Sequence, residues 1–450
     1  MPAPLNLLFL RQPGGNSREI FNDLIRGMAQ AGHAVTVVDL ADLWRANNSD
    51  PASRPRRNAE FTLQLAAAVR THRFDATFGF WANLLTCVAP VIMDGRARDP
   101  FEAIGVPHVM YWLDAPHWAH GGELVASLHA PVFRDPHVAH VVNNDAIARE
   151  MTSVFGFGPT SAVPYGVNAD VFTPRPPTAR YQLVINLGPG DPAPTPSMLA
   201  ALSSDDPPMD ELRRQVADAA RPEVQALLGP IGGGAIELGM ALLDSQLADS
   251  HRPLLDRLGS LGERFPGAAE RILESPTRWV QLSSLVRSVR GWERAFVACW
   301  MARRFSTAIV GDFSVAWPCE AARLGAVAQE DLAAAYAQAP VALSVMRWQD
   351  DQGVNIKPLE ITASGVACVT GQRAGLSSLF EIGREVRAFD SPAEASATVR
   401  LLLDSPGVRS DLAAAGLDRT RRNHTWRSRA EALADVVRRA RERLDARRAA

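Results

Sequence analysis

The stretch VNIKPLEITASGVACVTGQRAGLSSLFEIGRE, residues 354–385, sets the fold of the second half of this chain. Residues 358–364 carry apolar side chains at helical spacing, and Gly365 follows where a helix ends. Val366 to Thr370 is then a short, continuous apolar run of the kind that forms a strand buried on both faces. A helix leading into a buried strand is half of a βαβ unit. Its polar residues are placed unusually for a pure packing segment: Asn355, Lys357 and Glu360 all fall before or within the first helical turn. Lys357 is the only lysine in the chain. An ammonium beside the backbone N–H groups of a helix start suits a diphosphate, and an ionised Glu360 can accept two hydrogen bonds from a ribose diol. A first-turn glutamate that only complements the helix dipole is the competing reading.

The same alternation extends outward. LNLLFLRQPGGNSREIFNDLIRGMAQAGHAVTVVDL, residues 5–40, reads as strand, glycine turn, helix, turn and strand, with Val35 to Leu40 expected to be buried. Further strands are predicted at 76–80, 106–113 and 139–143, and after a Pro- and Gly-rich segment near Pro174 at 183–187, 307–310, 340–346, 366–370 and 386–389. Strands alternating with helices imply parallel sheets covered on both faces. From about 192 to 304 the pattern is helical throughout, and Val280 to Arg304 reads as one long helix leading into the strand at 307. The chain is thus α/β, with an N-terminal domain over 1–174 and a second over 175–425 carrying a helical insertion at about 192–304. A final Arg-rich helix over 426–450 has Leu433, Val436, Val437 and Leu444 as a core-facing stripe that suits packing back on the first domain.

Composition narrows the function. With 450 residues, two cores are the default, and a formal charge of -2 offers no field for nucleic acid. The four cysteines are widely spaced and read as reduced core thiols. No apolar run reaches membrane-spanning length, and the five apolar residues among 5–10 read as a strand rather than a signal peptide, so a cytoplasmic protein is expected, with peripheral membrane contact through the Arg-rich helix left open. The acidic pairs Asp205–Asp206 and Asp350–Asp351 fall in predicted loops without metal-site spacing, and neither a metal nor a cofactor is expected. Asp114 and His117 follow the predicted strand 106–113, at the carboxyl edge where ligands of open α/β sheets bind; a turn cap and a surface imidazole are the competing reading.

KPLEITASGVACVTG (357–371) is similar to the second-domain signature of the group 1 glycosyltransferases, in which a Glu-x7-Glu pair precedes an Ala-x-Gly and an apolar strand. The continuation GLSSLFEIGREVRAFD and the ending His424, Thr425 and Arg429 resemble the branch related to spore-maturation glycosyltransferases. VPYGVNADVFTP (163–174), the glycine-turn opening (14–38) and GAVAQEDLAAAYAQAPVALSV (325–345) agree in order, so the resemblance spans nearly everything outside the insertion. It implies two Rossmann-like domains of GT-B type facing across a cleft. It also implies a metal-independent, retaining transfer of a sugar from a nucleotide diphosphate sugar to an acceptor hydroxyl. Asp114 and His117 would be catalytic, and the donor would be bound by Gln352, Gly353, Asn355, Lys357 and Glu360, with Arg347, Gly311, Gly375, Leu376 and the turn glycines Gly14 and Gly15. Two departures stand out: Gln352 occupies the place of the first Glu, and LVINLGPGDPAP (183–194) lacks the Arg and Lys that follow the first strand of the second domain. A catalytically silent scaffold and a nucleotide-sugar epimerase share this architecture.

Overall fold

A computed structural model describes residues 3–12, 16–116, 130–188, 190–314, 316–349 and 351–449. The chain divides into two compact units, one formed by Met1–Gly166 with Thr425–Ala450 and the other by Val167–His424. Each is built on a six-stranded parallel sheet wound with helices, so the α/β, Rossmann-like expectation holds for both halves.

In the first unit the strands are β1 (Asn6–Arg11), β2 (Ala34–Asp39), β3 (Ala76–Phe80), β6 (His108–Tyr111), β7 (Val138–Val142) and β8 (Thr160–Ala162), in the order β2-β1-β3-β6-β7-β8. Between β3 and β6 lies a short antiparallel hairpin of β4 (Val91–Met93) and β5 (Arg96–Arg98), whose three-residue strands leave too little periodicity to be read from sequence. The expectation that Val35 to Leu40 is a buried strand is corrected. β2 forms, but it is the edge of the sheet, and only one of its sides has a neighbour, so Val37 is 39% exposed. The central strands carry the core instead, with Phe9 stacked on Phe78 at 4.9 Å and Phe21 of the following helix against Phe80. The last helix, Trp426–Ala449, packs on helix Asn16–Gln30 and buries Leu433, Val436, Val437 and Leu444.

Two histidines inside this sheet are structural. His140 accepts from Trp112 Nε1 at 3.1 Å and meets the Phe133 carbonyl at 3.0 Å through Nε2, which fixes the neutral tautomer with its proton on Nε2. Burial pushes His140 down to about 4 and His108, bonded to Thr77, down to about 3.

The second sheet runs β11 (Ala322–Gly325), β10 (Thr307–Val310), β9 (Leu183–Asn186), β12 (Val341–Ser344), β13 (Ala367–Gly371) and β14 (Arg387–Phe389). β9 pairs with both β10 and β12, so the order reverses beside its end, a topological switch point where open α/β sheets bind ligands. The β9-to-β10 crossover carries the helical insertion, beginning with Pro196–Ala201 and ending with Glu293–Ala302. The long helix expected over Val280 to Arg304 is two, Pro276–Ser288 and Glu293–Ala302. The chain turns at Gly291, and Trp292 Nε1 donates to the Val289 carbonyl at 2.9 Å in place of a continued helical ladder. Trp292, Phe296 and Trp300 then enter one apolar core with β9, β10 and β12.

Candidate functional site

The residues singled out in the second unit gather at the carboxyl end of β9. Lys357 opens the helix Lys357–Ala363, and its Nζ donates to the Asn186 carbonyl, the last residue of β9, at 2.9 Å. Asn355 accepts from the Lys357 backbone N–H at 2.9 Å and fixes the entry to that helix. One turn on, Glu360 is buried and its Oε2 accepts from Tyr336 Oη at 3.1 Å, while Asn186 Nδ2 donates to the same Tyr336 oxygen at 2.6 Å. Lys357, Asn186, Tyr336 and Glu360 are therefore one connected set. Burial beside a carboxylate drives the Tyr336 phenol well above its ordinary range, so it stays a donor to Glu360.

The loop that leaves β9 has no cation of its own before Asp191, and two arginines from elsewhere in the fold lie against it. Arg294, from the last helix of the insertion, donates to the Gly188 carbonyl at 2.9 Å and to Asp191 Oδ1 at 2.8 Å, holding the loop that leaves β9. Arg347, exposed after β12, lies against the same loop, close enough that a β-carbon on Gly188 would meet its guanidinium at 3.5 Å. Burial first, then the positive charges of Arg294 and Arg347, lower the Lys357 ammonium to about 7 against the opposing pull of Glu360 and Asp191. Three cations thus converge where the sheet reverses. Sequence reasoning missed Arg294, Asp191 and Tyr336. An arginine in an Arg-rich helical stretch carries no local mark of its partner, whereas Asn186, a polar residue ending an apolar strand, was a readable signal.

The remaining donor-site candidates take supporting places. Gly375 N–H donates to the Gln352 carbonyl at 2.9 Å, and a β-carbon on Gly375 would crowd that oxygen at 2.5 Å, so the loops after β12 and β13 touch only because Gly375 has none. Gly353 and Leu376 are buried beside them. Gly311, at the end of β10, has φ +99° and packs on the Leu187 carbonyl. Asp351 lies in a loop, as expected, and is buried there. Its carboxylate takes Arg287 Nη2 at 2.9 Å and the Leu254 N–H at 3.0 Å, and Arg257 stands 3.9 Å away, which ties the loop carrying Gln352 and Gly353 to the insertion. Asp114 is half-buried just past β6 in the first unit. His117, Gly14, Gly15 and Asp350 lie outside the described residues. Among the described residues no helix is long and apolar enough to cross a membrane, and no three His, Cys, Asp or Glu side chains are grouped to hold a metal ion.

Residues 287–435 match the profile of a family described as glycosyl transferase-like. No curated protein matches the chain. Among solved structures, Anabaena HepE in complex with UDP and glucose is similar at 11% identity over 96% of this chain and 99% of that one, with a TM-score of 0.47. A glycosyltransferase from Rickettsia africae is similar at 8% identity over 97% and 98%, with a TM-score of 0.46. T4 phage BGT in complex with UDP-glucose is similar at 9% identity over 96% and 99%, with a TM-score of 0.45.

Proposed function

We propose that the chain is a glycosyltransferase whose second unit binds a nucleoside diphosphate sugar at the carboxyl end of β9. The observation that carries this reading is the convergence of Lys357, Arg294 and Arg347 on the loop at Gly188. A transferred sugar leaves behind a diphosphate, and cations fixed in advance where that charge develops stabilise its departure without reorganising. The profile match over 287–435 supports the same reading and includes Arg294, Arg347, Lys357 and Glu360. Glu360, an acceptor when ionised, takes the ribose hydroxyls in this assignment. In the first unit, Asp114 at the end of β6 receives the acceptor hydroxyl's proton. Metal independence belongs to the proposal because the three cations supply the charge; turnover that stops in EDTA and returns with Mg²⁺ removes that part.

Titration calorimetry with UDP, GDP and ADP tests the site. Lys357→Ala is expected to weaken the nucleotide that binds best by about tenfold to a hundredfold, the worth of one charge-assisted contact. Unchanged affinity for all three nucleotides sinks the assignment. The pH dependence follows with a definite sign. With the free ammonium titrating at about 7, the site loses its charge as pH rises through that value, so affinity should fall between pH 7 and 9. Lys357→Arg, charged throughout that range, should flatten the profile.

A further inference from the structure

The first unit holds a recess remote from the residues that the proposed reaction uses. Phe74 and Val106, which lead into the paired strands β3 and β6, line it, so it lies at the amino ends of those strands, whereas Asp114 follows the carboxyl end of β6. It opens to solvent and encloses about 370 Å³, enough for a small-molecule ligand. Three separate pieces of chain build it: the end of helix Arg54–His72, the β4–β5 hairpin with helix Pro100–Ile104, and the end of the last helix.

Its wall is partly apolar and its rim cationic. Phe74, Met93, Ile104 and Val106 supply apolar surface, and Met93 and Val106 are only half-buried. Around them stand Arg70, Arg73, Arg98 and Arg448. The carboxylates are unevenly shared. Arg98 takes two, Asp94 at 3.6 Å and Glu102 at 3.3 Å, while Arg448 has Asp445 at 3.9 Å and donates to the Gly105 carbonyl at 2.8 Å. Four guanidiniums thus meet three carboxylates, and Arg70 and Arg73 have none: among the described residues their side chains make no ion pair or hydrogen bond. Arg73 adds an observation independent of charge. It closes helix Arg54–His72 in the left-handed region, with φ +52°, where glycine or asparagine is the less strained choice. The helix dipole favours a cation at this end, which Arg70 already supplies. The fold therefore carries a strained arginine whose side chain bonds to nothing in it.

We propose that this recess is a phosphate site for an amphiphile, in which Arg70 and Arg73 take the phosphate oxygens and the apolar wall at Met93 and Val106 takes the part of the ligand next to them. The planar donor fork of a guanidinium matches a phosphate in charge and in geometry. A fully polar phosphate ester would use the arginines and leave the apolar wall wet, whereas an amphiphile covers both. The site lies wholly within the first unit and does not depend on the donor-site reading.

The experiment is calorimetry on the full chain with dihexanoyl phosphatidate, glycerol phosphate and dihexanoyl phosphatidylcholine, each kept monomeric. Phosphatidate is expected to bind about tenfold more tightly than glycerol phosphate, and phosphatidylcholine, with no net charge, more weakly than either. Arg70→Gln and Arg73→Gln should each weaken phosphatidate about tenfold, the worth of one charge-assisted contact. Met93→Ser should weaken phosphatidate several-fold and leave glycerol phosphate alone. Arg73→Gly separates binding from folding: it relieves the left-handed backbone, so the melting temperature should not fall while phosphatidate affinity drops as it does for Arg73→Gln. Nucleotide binding should be untouched by every one of these substitutions. Equal affinity for phosphatidate and glycerol phosphate overturns the amphiphile and makes a soluble phosphate ester the ligand. Phosphatidate affinity unchanged by the arginine substitutions, or no binding of either phosphate, overturns the site.

Discussion

Asp351→Ala is expected to cost about 3–5 kcal/mol of stability, the usual penalty for removing one partner of a buried ion pair. Both side chains of the Arg287–Asp351 pair are almost sealed from water, at 7% and 3% exposure, and Arg257 beside them is equally enclosed. Removing the carboxylate leaves two guanidinium groups facing each other in a poorly solvated place. Arg257 already shows the strain of enclosure, since burial lowers it to about 10 even with Asp351 present. The same carboxylate accepts the Leu254 N–H at the start of an inserted helix, so the loss frees both the insertion and the loop after β12. Urea unfolding followed by tryptophan fluorescence should show the inserted helices, which hold Trp279 and Trp292, melting first. A loss below about 1 kcal/mol, the level of a surface pair, would show that this contact does not anchor the loop. Asp351→Ala with Arg287→Met should recover part of the loss, because one of the two stranded charges goes with it.

Gly311→Ala is expected to cost about 2–4 kcal/mol, combining the left-handed backbone penalty with an overpacked contact. The residue has φ +99°, and a β-carbon there would overlap the Leu187 carbonyl oxygen. Backbone meets backbone at this point, so no side chain can rotate away. Relief requires the ends of β9 and β10 to separate, which moves the loop after Leu187 that Arg294 holds through Gly188 and Asp191. Nucleotide affinity should therefore fall along with stability. Gly325 is the control: it also has a positive φ, +70°, but nothing lies within 4 Å of its added β-carbon. Gly325→Ala should cost about 1–2 kcal/mol, the left-handed backbone penalty alone, and leave nucleotide binding alone. Equal losses from the two substitutions would mean that backbone conformation, and not the contact with Leu187, sets the requirement at Gly311.

Much of the fold was legible because the signals are local. Apolar runs such as 183–187 and 366–370 mark buried strands wherever they fall, and the helical spacing of 192–304 marks the insertion without reference to anything distant. The misreadings arose where a neighbour decides. Val35 to Leu40 has the composition of a central strand, and only the strand order makes it an edge. Val280 to Arg304 has the spacing of one helix, and the break appears only where Trp292 turns into the core.

The candidate site divides in the same way. Lys357, Asn355 and Glu360 lie within one short stretch, and the sequence by itself determined that their polar groups share the start of a helix, since three residues make most of a turn. It also determined two parallel α/β halves. Tertiary structure alone decided that Lys357 reaches the end of β9, that Tyr336 and Asn186 hold Glu360, and that Arg294 binds the loop after β9. Arg294 acts on Gly188 from 106 positions further along the chain. Periodicity reports only which face of an element is buried; which charges meet across the sheet is set by how the elements pack.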